Sequence, residues 1–312
     1  MSLNPFAPVR VCTSARHPLV DPIQNWMRGY NNSQENPAMS LRRLTFALLI
    51  LYILLTIYPI VSIALGIPPS RFLTPVSTLA GFGFALLHAG QREGWKRGLI
   101  LLALVFAVSL TFESVGVATG LVYGPYHYTN KLGPLFLGLV PYLIPVAWFM
   151  MSYPSLVIAD RLIPAGWKRW RRILSVAAVG GLAMTAWDLV MDPIMVAGGH
   201  WIWDDLLSKS NGAYHGIPLQ NFSGWWLTTF TTFALYLLIS GSSREKPAAG
   251  FDRLAVAGYL VTALGIVLVS LVSNAGELAL IGFFAMVPWV ITGWLSTAKE
   301  QVLFHPTGIE PH

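Results

Sequence analysis

Charge is scarce in this sequence. Asp, Glu, Lys and Arg make up 11% of its 312 residues, against about 25% in an ordinary soluble domain. Cysteine is scarcer: Cys12 is the only one, which excludes an internal disulfide and a thiolate metal cluster. There is no Gly-rich phosphate loop, no dinucleotide fingerprint and no nucleophile elbow. The seven histidines are scattered and do not form the clusters that a di-iron membrane oxygenase needs. No small-residue cleavage site follows the first apolar run, so that run reads as an anchor and not as a removed signal.

What the sequence does have is long apolar runs. Hydrophobic residues make up 54% of the chain, and a hydrocarbon layer of ~30 Å needs about 20 of them per helix. The runs predict an all-α fold, a polytopic transmembrane helix bundle of about eight spans near 44–65, 72–90, 98–118, 135–159, 173–197, 223–241, 252–272 and 277–297. The fourth is interrupted by Pro141, Pro145 and Pro154, which neighbouring helices can accommodate. The connections "QREGWKRG", "DRLIPAGWKRWRR" and "SSREKPAAGFDR", with the two termini, hold all of the 20 Lys and Arg residues except Arg71, Lys131 and Lys209. Basic loops stay cytoplasmic, so both termini are expected inside a cytoplasmic membrane. The net charge of +6 follows from this topology and makes no case for nucleic acid. Residues 1–40 read as a loosely ordered cytoplasmic extension, 41–300 as the transmembrane helical domain and 301–312 as a tail.

Most acidic residues fall in the expected loops and tails. The exceptions are Glu113, Asp188, Asp192 and Glu277, all toward the outer face. A charged group at depth costs at least ~2.5–3.5 kcal/mol, and such acids are functional candidates by default. Glu113 lies ~7–8 Å below its helix exit at 1.5 Å per residue. Asp188 and Asp192 are one turn apart and share a helix face. The four acids predict one polar pocket under the outer surface. The flanking loops, "TGLVYGPYHYTNKLG" and "GGHWIWDDLLSKSNGAYHGIPLQNFSGWW", both begin with glycine and then set a histidine among aromatics. They are expected to cap the pocket and to supply Tyr123, Tyr126, His127, His200, Trp201, Trp203, His215 and Asn221. The competing readings are structural. The tryptophans, with Trp225 and Trp226, suit interface anchors, Asn221 or Ser223 suits a helix cap, and Glu277 suits a helix N-terminus.

Several activities fit an acid pocket. Intramembrane acids relay protons in transporters. "DLVMD" has the D-x-x-x-D spacing of magnesium-dependent membrane prenyltransferases, but it occurs once, on the outer side, with few basic partners. Five separated motifs add a resemblance. "FESVGVATGLVYGPYHYT", "PYLIPVAWFMM", "WDLVMDPIM", "HWIWDD" and "YHGIPLQNFSGWW" together resemble the carotenoid biosynthesis family of membrane hydratases. That family includes the bisanhydrobacterioruberin hydratases and the gamma-carotene 1',2'-hydratases, also called 1'-hydroxylases. The resemblance covers roughly residues 75–295. It implies cofactor-free addition of water across the terminal double bond of a linear carotenoid end group; no residue is assigned to a metal, although Asp and His ligands could bind one. The partners would be the polyene, water and membrane lipid, with oligomerisation left open.

The acids suit that chemistry. Hydrating a trisubstituted alkene needs a carboxyl group that keeps its proton, a stabilised tertiary cation, and a base for the incoming water. The expected roles are Asp188 as proton donor, Asp192 as its electrostatic partner and Glu113 as water base, with aromatic faces supporting the cation. A lycopene-type cyclase, which would exclude water, and a non-catalytic carotenoid carrier are the rival readings.

Overall fold

The computed structural model describes residues 37–70, 72–204, 214–241 and 249–304. The first 36 residues with Cys12, and also Arg71, Lys209 and the end of the tail, lie outside the described residues. The chain divides into two compact units, Met1–Arg42 and Arg43–His312; the second holds the helix bundle.

Eight α-helices long and apolar enough to cross a membrane make up the described fold. They are α1 (Pro37–Ala64), α2 (Leu73–Glu93), α3 (Trp95–Thr119), α4 (Leu143–Leu162), α5 (Arg169–Ala197), α6 (Leu219–Ser240), α7 (Ala249–Val272) and α8 (Gly276–Phe304). The protein is therefore an all-α, multi-pass bundle of the expected kind. α5 packs along α6, α7 along α8, and α4 lies against α2, α3, α5, α7 and α8. That central position explains the near-continuous burial of α4 from Trp148 to Ala159.

Two expectations need correction. Residues 135–141 are not the start of the fourth span. They form a small hairpin of β2 (Leu135–Phe136) and β3 (Val140–Pro141), whose turn holds Leu137 at φ 51° and Gly138 at φ 73°. An apolar run alone does not distinguish a hairpin from a helix, and the positive-φ turn excludes a helix here. The expected loop "QREGWKRG" is also helical, apart from Gly94 at φ 80° between α2 and α3.

The second correction changes the charge map. Glu93, Asp160 and Asp252, expected in loops, sit on helices and pair with arginines at the end of the bundle opposite the expected pocket. Arg92 Nε donates to Asp252 at 2.9 Å and Arg92 Nη2 donates to Asp160 at 2.8 Å. Arg161 also donates to Asp252, and Arg172 to Asp160. The Tyr236 hydroxyl donates to Glu93 at 3.1 Å. Next to this network, buried His88 bridges the Tyr153 hydroxyl (2.6 Å) and the Phe251 carbonyl (2.9 Å). Helices longer than the apolar runs carry these charges, and each finds a partner.

At the other end, residues after α3 and α5 form a two-stranded antiparallel ladder, β1 (Tyr126–Tyr128) with β4 (Trp201–Trp203). It is extended by Thr129 N–H donating to the His200 carbonyl and Asp204 N–H to the Pro125 carbonyl, each at 2.9 Å. The two loops that resemble each other in sequence are thus paired with one another.

Candidate active site

Successive side chains of a strand point to opposite faces, and the ladder applies this rule to two short segments. Tyr126 and Tyr128 face Trp203 and Trp201 across the rungs, while His127 faces Ile202. The aromatic pairs turn inward: Tyr126, Trp201 and Trp203 are buried and Tyr128 is half-buried, whereas His127 and Ile202 are exposed. Tyr126 and Trp203 have ring centroids 4.9 Å apart, and Tyr128 and Trp201 5.7 Å apart.

Those inward groups hold the acids. Glu113, on α3, accepts from three donors: the hydroxyl of Tyr126, the hydroxyl of Tyr128 at 2.8 Å, and the indole N–H of Trp148 at 3.0 Å. Burial, and then the Glu113 charge, push both phenols well above their ordinary range, so both stay protonated and donate. Asp192, on α5, accepts the Trp201 indole N–H at 2.6 Å and the Asn221 amide at 2.7 Å. The same amide nitrogen donates to Asp188 at 2.8 Å. Asn221 therefore uses both its amide hydrogens to join the two aspartates, and Asp188 Oδ1 is left buried with no partner.

Local sequence explains the placement. Pro193 removes the N–H that would bond the Leu189 carbonyl one turn back, and the Tyr214 hydroxyl caps that carbonyl at 2.7 Å. Pro218 precedes α6, so the helix begins at Leu219 and Asn221 is inside it, turned to the aspartates. It is not a cap. Tyr123 is clamped between two glycines: a β-carbon on Gly116 of α3 or on Gly224 of α6 would lie 2.6 Å from its ring. Its hydroxyl pairs with Thr228 at 2.8 Å.

A cavity of about 150 Å³ lies inside this frame. Glu113 and Asp192 are on its wall, with Tyr123, Tyr126, Trp201, Trp203 and Asn221; among the described residues, no Lys or Arg lines it. Asp188 is fully buried and does not reach the wall. The three expected histidines stand outside it. His127 pairs with Asp204 at 2.7 Å on the outer face. His200 turns its ring to the Met195 carbonyl at 3.2 Å, and burial lowers its pKa. His215 lies at the surface, 3.9 Å from Glu277. Glu277 itself is exposed and belongs to no shared pocket, which corrects the expected group of four acids. Among the described residues, no three His, Cys, Asp or Glu side chains converge as metal ligands would.

Sequence reasoning missed Tyr128, Trp148, Trp187 and Trp225 as wall residues. The in–out–in pattern of "YHY" would have disclosed Tyr128. Nothing local marks Trp148, which stacks on Trp225 at 4.2 Å. Trp226, beside it, faces α5 and donates to the Ala178 carbonyl at 3.1 Å.

Fold and site together define a multi-pass membrane protein with a buried, aromatic-walled acid pocket at one end of its bundle. More narrowly, the chain belongs to the family described as carotenoid biosynthesis protein, which matches residues 72–289. It is 34% identical to the bisanhydrobacterioruberin hydratase of Haloarcula japonica over 142 residues, 45% of this chain and 45% of that protein. The match thus spans about half the length of that relative. No solved structure matches.

Proposed function

We propose that this protein is a carotenoid hydratase, adding water across the terminal C1–C2 double bond of a linear carotenoid without a cofactor. The observation that carries the reading is a cavity walled by two carboxyl groups and a ring of aromatics, with no basic residue among the described residues that line it. Such a site favours a positive charge, and the charge in question is the tertiary cation formed when the alkene takes up a proton. Membership of the carotenoid biosynthesis family and the hydratase name of the relative support the same reading.

The steps follow from the residues. Because Asp192 reaches the cavity wall and Asp188 does not, we assign proton delivery to Asp192 and make Asp188 its electrostatic partner, the reverse of the sequence expectation. Two carboxyl groups joined by one amide in a water-poor site share a single proton more readily than they hold two charges. The alkene π pair takes the proton at C2, the less substituted carbon, leaving the cation at C1. Trp187, Trp225 and the ladder aromatics face it; cation–π contact is worth roughly 2 kcal/mol when desolvated. Glu113, held in place by three donors, orients a water molecule whose oxygen bonds to C1, and it takes the released proton. The cavity lies toward the outer face of the cell membrane, with both chain termini inside.

The test is pigment extraction from a host making a linear carotenoid, with and without this chain. A product heavier by one water supports hydration. A cyclic product of unchanged mass means a cyclase, and unaltered pigment means a carrier.

A further inference from the structure

The cavity is small for the substrate assigned to it. A space of about 150 Å³ holds a ligand of about benzene size, whereas a C40 polyene is about as long as the ~30 Å hydrocarbon layer is thick. Only the last branched unit of the chain can be inside. Thr74 and Thr78 of α2 and Leu143, Ile144 and Ala147 of α4 also line the cavity; Thr74 is exposed and the α4 trio half-buried, so the cavity reaches the surface between these helix starts. The surface beside it is apolar: Phe72, Val76, Leu79 and Tyr142 are all exposed. The remainder of the chain therefore leaves through this mouth and lies against lipid-facing side chains. Apart from the Thr74 hydroxyl at the mouth, the exposed Phe72, Val76 and Leu79 beside it are apolar, and contact with them differs little from contact with lipid tails.

The chemistry asks for no more than the end unit. In an open end group the terminal double bond is separated from the polyene by two saturated carbons. The cation at C1 receives no stabilisation from the conjugated chain, and the energy of protonation is the same in any open-chain isoprenoid with this terminus. We infer that the site reads only the terminal branched unit, and that chain length, conjugation and the far end of the molecule go unread. Its substrate class is then open-chain isoprenoid hydrocarbons in general, and a molecule with two open ends is hydrated at each in turn. The inference rests on the hydratase reading above.

The experiment uses the full-length protein in lipid vesicles, supplied separately with a linear C40 carotenoid and with squalene, an unconjugated C30 hydrocarbon with the same two termini. Products are measured by mass spectrometry. Hydrated squalene at a rate within about tenfold of the carotenoid, the size of one lost apolar contact, and doubly hydrated product from both, is the expected result. Hydration of the carotenoid with squalene untouched overturns the inference and leaves the hydratase reading standing. A carotenoid that returns unhydrated overturns both.

Discussion

Asp192 and Glu113 each accept hydrogen bonds from N–H or O–H groups, so an amide in either place turns an NH2 group toward a donor. Asp192→Asn and Glu113→Gln are expected to lower hydrated product by about 10²–10⁴-fold, the usual share of a general acid or base. Asp188→Asn alters a group behind the wall, so its loss is expected to be smaller than that of Asp192→Asn. His127→Ala provides the control. Its contact with Asp204 is solvent-exposed, and exposed pairs of this kind are worth about 0–1 kcal/mol, so product is expected at the level of the unaltered protein. Pigment yield per unit of membrane-inserted protein checks all four. An Asp188→Asn variant more damaged than Asp192→Asn would return the donor role to Asp188.

At the scale of elements, the site depends on close approach of α3 and α6 around one tyrosine ring. Gly224→Ala would set a methyl group 2.6 Å from Tyr123 and from the Val122 carbonyl. Overpacking of this kind costs about 1–3 kcal/mol, to be read as a lower thermal midpoint in detergent. The helices themselves were legible from run length, since a span of about 20 apolar residues has few other uses. Acids one turn apart on α5 were legible for the same geometric reason. The hairpin at 135–141 was not, because its residues are as apolar as those of a span and only its φ angles differ. The cap function offered for Asn221 failed because Pro218 starts the helix earlier. The inward aromatics were half legible: "WIW" and "YHY" alternate as strands do, but three residues make a weak signal without the partner strand.

At the scale of the molecule, the bundle has polar groups buried at both ends, and the two sets differ in kind. The site end holds acids with no cation among the described residues of the cavity wall. The opposite end pairs three arginines, Arg92, Arg161 and Arg172, with Glu93, Asp160 and Asp252. Partners there lie as far as 160 positions apart in sequence, so no local pattern could disclose them. Asp252→Leu would leave Arg92 and Arg161 without this carboxylate, and removing one member of a buried pair costs about 3–5 kcal/mol. The expected result is low membrane yield and early unfolding, largely unaffected by added salt because the network is shielded. Orientation has its own check. In a Cys12→Ser background, a cysteine at Asn130 is expected to react with a membrane-impermeant maleimide in intact cells, and one at Lys168 only after lysis. The opposite labelling would invert the bundle and put the site inside.

The contrast between the ends bears on how a stiff, rod-shaped guest gets in. Charges interlocked across α2, α4, α5 and α7 rivet one end of the bundle, while a three-rung ladder and aromatic contacts close the other. An entering chain would part the tips of α2 and α4 more easily than the riveted end. Loosening the rivet would then blunt the grip at the tips, although no residue of the cavity had been touched.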